Sequence, residues 1–155
     1  MTTSATALPA TPAWLDRWAA FASGLQFGDL PAAVVARSRQ VLFDSVGAIA
    51  AGAQEAETRG LTERLAALGG TGGFAAPVIG AHLRLPAGTA AFLNGTAGTM
   101  LEIDEGNQFA RGHPGIHVVP AALAAAERLG SSGADLITAL ALGYEIGSRI
   151  GIAGK

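Results

Sequence analysis

The sequence predicts an all-α protein, a multi-helix bundle, on three observations. Half of its 155 residues are apolar, 14% are charged and 22 are glycine, the profile of small-residue helices packed closely together. Apolar residues recur at helical spacing in successive segments punctuated by Pro and Gly. No strand-rich region or internal repeat interrupts them. Residues 1–10, polar and Pro-containing, read as a flexible arm, and residues 11–155 as the helical domain.

Trp14, Trp18 and Phe21 fall at helical spacing and predict a short helix with a core stripe. Pro31 marks the start of a long second helix reaching Gly52, with Val34, Val41 or Leu42, Ser45 or Val46, and Ile49 along one side. The run VLFDSVGAIAAGA within it is apolar all round, which predicts burial, with Asp44 satisfied by a neighbouring helix or an arginine. Residues 58–68 predict an exposed third helix, Leu61, Leu65 and Leu68 inward, Glu63 and Arg64 outward. The glycine-rich run Gly69 to Gly73 ends it and lacks the G-K-[ST] ending of a phosphate loop.

AAPVIG (75–80) reads as an extended piece, after which Pro86 opens a fourth helix running towards Met100. Ser132 and Asp135 form a capping-box pattern at the start of the last helix. Its inward face is read as Leu136, Leu140, Tyr144 and Ile150, and Gly143, Gly147 and Gly151 let a second element approach closely. The ending IGIAGK follows this periodic helix without a polar tail, so the helical domain is expected to continue.

Composition narrows the function. Net charge is −2 and no basic stripe occurs, so nucleic-acid binding has no electrostatic footprint. With no cysteine, the chain cannot hold an iron–sulfur cluster or a thiolate zinc site. The N-terminus lacks a basic segment followed by an apolar one, and no uninterrupted apolar stretch reaches the roughly 18 residues of a membrane span. The expectation is a soluble cytoplasmic protein with neither a membrane nor a nucleic acid as partner.

Chemistry concentrates in LEIDEGNQFARGHPGIHVVPA, residues 101–121. Glu102, Asp104, Glu105, Arg111, His113 and His117 fall within it, and Gly106, Gly112, Pro114 and Gly115 make it a loop between helices. In extended backbone Glu102 and Asp104 share a face. A carboxylate beside His113 fixes its tautomer and makes it a general acid or base near neutral pH. Arg111 offers a bidentate fork to a substrate carboxylate, or else neutralises the local carboxylates. His113 before Pro114 also suits a helix cap, His117 a half-buried structural residue and His82 a structural or surface one. His113 and His117 stand four apart, the spacing of a metal pair on a helix, but Pro114, Gly115 and Pro120 argue against a regular helical turn across them. The HExxH pattern is absent, and no metal is assigned.

The stretches NGTAGTMLEIDEG, GHPGIHVVPAALAAAERLG and SGADLITALALGYEIGSRIG resemble the MmgE/PrpD family of metal-independent dehydratases and related lyases. QVLFDSVGAIAAG and APVIGAHLRLPAGTAAFLNGT fit its N-terminal region, so the resemblance runs from about residue 14 onward. It implies the N-terminal part of a large helical domain completed elsewhere by an α/β lid, a homodimer, and no cofactor. It also implies proton transfer beside a carboxylate of a small polycarboxylic acid, as dehydration, decarboxylation or epimerisation. In the family the acidic loop and the histidine of the His-Pro pair line the active site, which implies Glu102, Asp104, Glu105 and His113 here. His113, Asp104 and Glu102 are assigned to catalysis, and Arg111, Glu105 and Asn94 to substrate binding. Where members commonly read LDFDDT this chain reads LEIDEG, and Thr99 stands in place of a frequent histidine. A non-catalytic helical scaffold or dimerisation fragment, and a His/carboxylate metalloprotein, are the alternative readings.

Overall fold

A computed structural model describes residues 11–69 and 73–154. The expected arm at 1–10, the middle of the Gly69 to Gly73 run and Lys155 lie outside the described residues. The architecture is all-α. Its helices are α1 (Ala13–Gly24), α2 (Ala32–Gly52), α3 (Ala56–Leu68), α4 (Ala87–Thr99), α5 (Pro114–Leu129) and α6 (Gly133–Ala153). A two-stranded antiparallel ribbon, β1 (Ala75–Pro77) against β2 (Arg84–Pro86), joins α3 to α4, with Ala76 opposite Leu85. The extended AAPVIG piece is thus half of a hairpin whose other half ends at Pro86, the residue that opens α4.

Helix α4 is the hub, packed against α2, α3, α5 and the ribbon. Its small residues make this possible. A Cβ on Gly98 would overlap the Ile116 side chain of α5, and one on Gly52 of α2 would overlap the Ala97 carbonyl. Three buried clusters follow. Ala76, Val78, Ala90 and Leu93 lie under the ribbon, Ile49, Ala97 and Ile116 at the α2–α4–α5 crossing, and Val41, Val119, Ile137 and Leu140 between α2, α5 and α6.

Several expectations are corrected. Helix α2 is not buried all round: Ser38, Val41, Ser45, Ala48, Ile49 and Gly52 face inward, while Phe43 and Asp44 are exposed. Asp44 therefore needs no buried partner, because it points to the solvent side. Helix α1 has no buried residue. Trp14 and Trp18 stack edge-to-face at 5.7 Å beside Ile146 and Ile150 of α6, leaving an open apolar groove instead of a closed core. Leu68 and Ile150, both expected inward, are exposed at the last turns of their helices. Helix α5 runs unbroken through His117 despite Pro120, whose buried ring faces Gly95 of α4. By length and composition α6 alone among the described helices would cross a membrane. Its apolarity also serves the packing against α5 and α2.

Helix α6 opens with the capping box read from sequence. Ser132 Oγ accepts from the Asp135 amide at 3.2 Å, and Asp135 accepts from the Ser132 amide at 2.9 Å. The Ser132 hydroxyl, which donates to the Asp135 carboxylate at 2.8 Å, and then the Ser132 amide hold that carboxyl below its ordinary range. Of the three spaced glycines, Gly143 faces Val118 of α5 and Gly151 faces Ala110 of the loop before α5, while Gly147 faces open space.

Candidate active site

The loop between α4 and α5 is held by its own polar side chains. Asn107 and Gly112 pair in an antiparallel bridge. The Asn107 side-chain oxygen accepts the amides of Phe109 and Ala110, both at 3.0 Å. Its NH2 donates to the Tyr144 hydroxyl at 3.3 Å and to Ser148 at 3.4 Å, which fastens the loop to α6. Glu102 and Arg111 both sit at φ 54°, a left-handed conformation that costs a residue with a Cβ about 1–2 kcal/mol. Such strain persists only where the surroundings enforce it.

This backbone sorts the carboxylates. The left-handed turn at Glu102 breaks the extended alternation, so the expected face shared by Glu102 and Asp104 is not formed. Glu102 is exposed, whereas the Asp104 side chain is only 2% exposed. Asp104 Oδ2 lies 3.0 Å from His113 Nδ1. The two atoms are at ion-pair distance but outside hydrogen-bond alignment, and neither has another polar partner among the described residues. A buried carboxylate oxygen without a donor is costly, and His113 Nδ1 is the polar atom placed beside it. The rest of the His113 ring is 44% exposed as part of the side chain and borders a cleft. His113 is also the residue before the first turn of α5, so the capping position and the chemical one coincide.

Glu105 corrects another expectation. One carboxylate oxygen accepts the Gly115 amide at the N-terminus of α5, at 2.8 Å. The other accepts the Tyr144 hydroxyl at 2.9 Å. Both are engaged inside the protein, and the charge suits a helix N-terminus. Glu105 is a brace between α5 and α6. Asn94 is likewise committed, accepting from the Ile79 amide at 2.9 Å and donating to the Pro77 carbonyl at 3.1 Å. It fixes the end of the ribbon on α4, is buried, and does not border the cleft at His113.

The open cleft has a volume near 710 Å³ and is bordered by Arg37, Asn107, Phe109, Arg111, His113 and Tyr144. Neither Arg37 nor Arg111 forms an ion pair among the described residues. Arg111 therefore does not neutralise the local carboxylates, since Glu105 and Asp104 are engaged elsewhere. Two guanidinium groups and an imidazole border the cleft, and no carboxylate does. The local field favours anions. Burial and the bond to Glu105 push the Tyr144 phenol above its ordinary value, with Asn107 and Arg37 opposing more weakly.

Arg37 and Tyr144 also border the cleft, and the sequence reading did not place either there. Arg37 sits four residues before Val41 on the inward side of α2. Tyr144 was read as core, although a buried phenol needs a partner for its hydroxyl. His117 is exposed on α5 and His82 is exposed beside the ribbon. Among the described residues no three His, Asp or Glu side chains come close enough together to hold a metal ion.

A family model described as the MmgE/PrpD N-terminal domain matches residues 16–155. The chain belongs to the MmgE/PrpD family. No curated protein matches it closely enough to add a named relative. The MmgE/PrpD span takes in all six helices in whole or in part and every residue bordering the cleft.

Proposed function

We propose that this MmgE/PrpD chain carries the proton-transferring part of a lyase-type site for a small polycarboxylic acid. The observation that carries the reading is the pairing of buried Asp104 with half-exposed His113 at the edge of a cleft holding two unpaired guanidinium groups. Asp104 holds the Nδ1 proton, which leaves Nε2 as the basic nitrogen. Arg37 and Arg111 grip carboxylates of the substrate, placing the carbon beside one of them against the imidazole.

In a dehydration or an epimerisation, His113 takes a proton from that carbon. In the dehydration the electron pair expels the β-hydroxyl, which leaves as water with a proton from the imidazolium or solvent, and in the epimerisation solvent returns a proton to the opposite face. In a decarboxylation, His113 returns a proton to the carbon that has lost CO2. All three pass a proton between one imidazole nitrogen and one carbon. Glu102, exposed and away from the pair, has no part in this reading. Assembly into a homodimer is in keeping with the family resemblance and is supported by the exposed Phe43, Phe92, Ile150 and Ile152.

The test is exchange in deuterated water. The protein expressed from its complete reading frame is incubated with citrate, malate and their alkyl derivatives, and deuterium beside the carboxylate is read by NMR. Incorporation or turnover that disappears in His113→Ala is expected. Wild-type exchange in His113→Ala, or none with any polycarboxylate, would overturn the reading.

A further inference from the structure

A second cavity, of about 200 Å³, opens beside the cleft between α2, α5 and α6. Arg37 and Tyr144 border both spaces, so the two adjoin along those side chains. Its walls are Val34, Val41, Val118, Val119, Leu140 and Ala141. Arg37, Ser38, Tyr144 and Glu145 are the polar side chains at its edge, and the last two are committed. Tyr144 bonds to Glu105, and Glu145 is turned along α6 to Arg149. Ordered water needs two to four polar partners, which the six apolar side chains do not supply.

We propose that this cavity receives a hydrocarbon substituent of the substrate, which makes the natural ligand an amphipathic polycarboxylate. Its carboxylates lie on Arg37 and Arg111, and an apolar group of up to about six carbons lies behind Tyr144. The size follows from comparison: an apolar cavity of about 150 Å³ accepts a benzene-sized group. Arg37 stands at the junction, where the charged and apolar halves of such a ligand meet. The inference rests on the polycarboxylate reading above, and the experiment separates the two.

The complete protein is titrated calorimetrically with succinate, butylsuccinate, hexylsuccinate and benzylsuccinate. Each buried methylene tightens binding about fourfold, so hexylsuccinate should exceed succinate by well over 100-fold. Ala141→Phe and, at the half-open mouth, Val34→Phe should shrink the hexyl-to-parent ratio at least tenfold. Using both variants covers the case in which one fails to fold. Equal affinities for succinate and hexylsuccinate, with succinate binding still weakened by Arg111→Ala, would overturn the apolar annex and leave the polycarboxylate reading standing. A chain-length gain that survives both Phe variants also overturns the annex, because the gain then arises elsewhere. Absence of binding by all four ligands overturns both.

Discussion

His113 serves two purposes at one position. Its backbone ends the loop where α5 begins, and its ring faces a carboxylate that has no other counterpart. The pair should therefore behave as a unit. Replacing His113 by Ala should lower turnover about 10²–10⁴-fold, the usual range for a general acid or base. Asp104→Asn keeps the shape but removes a charged partner of the imidazole, which at 1.5–3 kcal/mol corresponds to about 10–150-fold. Both are read as kcat of the complete protein. These two residues were legible in the sequence because a His-Pro pair beside an acidic loop is an unusual density of titratable groups in so apolar a chain. The exposure of Glu102 and the internal bonds of Glu105 and Asn94 were not readable in advance, for a reason residue chemistry does not contain. Whether a carboxylate faces a cleft or a helix N-terminus depended on a left-handed turn at Glu102, and no glycine marked that turn.

At the scale of elements, the site depends on how α5 and α6 meet. Glu105 ties the two together, bonding to Gly115 on one side and Tyr144 on the other. Tyr144→Phe should cost about 1 kcal/mol, seen as a lower urea midpoint, because it leaves one Glu105 oxygen without its donor. The fold raises the Tyr144 pKa, so its contribution is complete below the ordinary value of 10.0 and is lost as pH rises through the raised one. Tyr144→Phe should flatten the alkaline limb of the stability profile. Asp135 runs the opposite way. Its pKa is lowered, so its contribution holds above the ordinary 3.8 and is lost as pH falls through the folded value, and Asp135→Asn should flatten the acid limb. Caps and periodicity made α6 and its capping box readable in advance. The β2 half of the ribbon was not, because a three-residue strand carries no period.

For the molecule as a whole, packing is set by small residues at helix crossings. Gly52→Ala would drive a methyl group into the Ala97 carbonyl, a backbone atom that cannot swing aside. It should destabilise by about 1–3 kcal/mol, read as a reduced Tm, and an unchanged Tm would show that α2 and α4 separate freely. Burial was the least legible property of the chain. Apolar runs looked the same whether they ended in a core, as at Ile49, or outside, as at Phe43 and Phe92. Composition reports how much apolar surface exists and not which of it another surface covers. The central claim is that Asp104 acts through His113, and a double-mutant cycle tests it most directly. Turnover of a polycarboxylate is measured for the complete wild type, His113→Ala, Asp104→Asn and the double variant. The account predicts that the double variant is no slower than His113→Ala alone. Losses that multiply, or a His113→Ala variant with wild-type turnover, would contradict it.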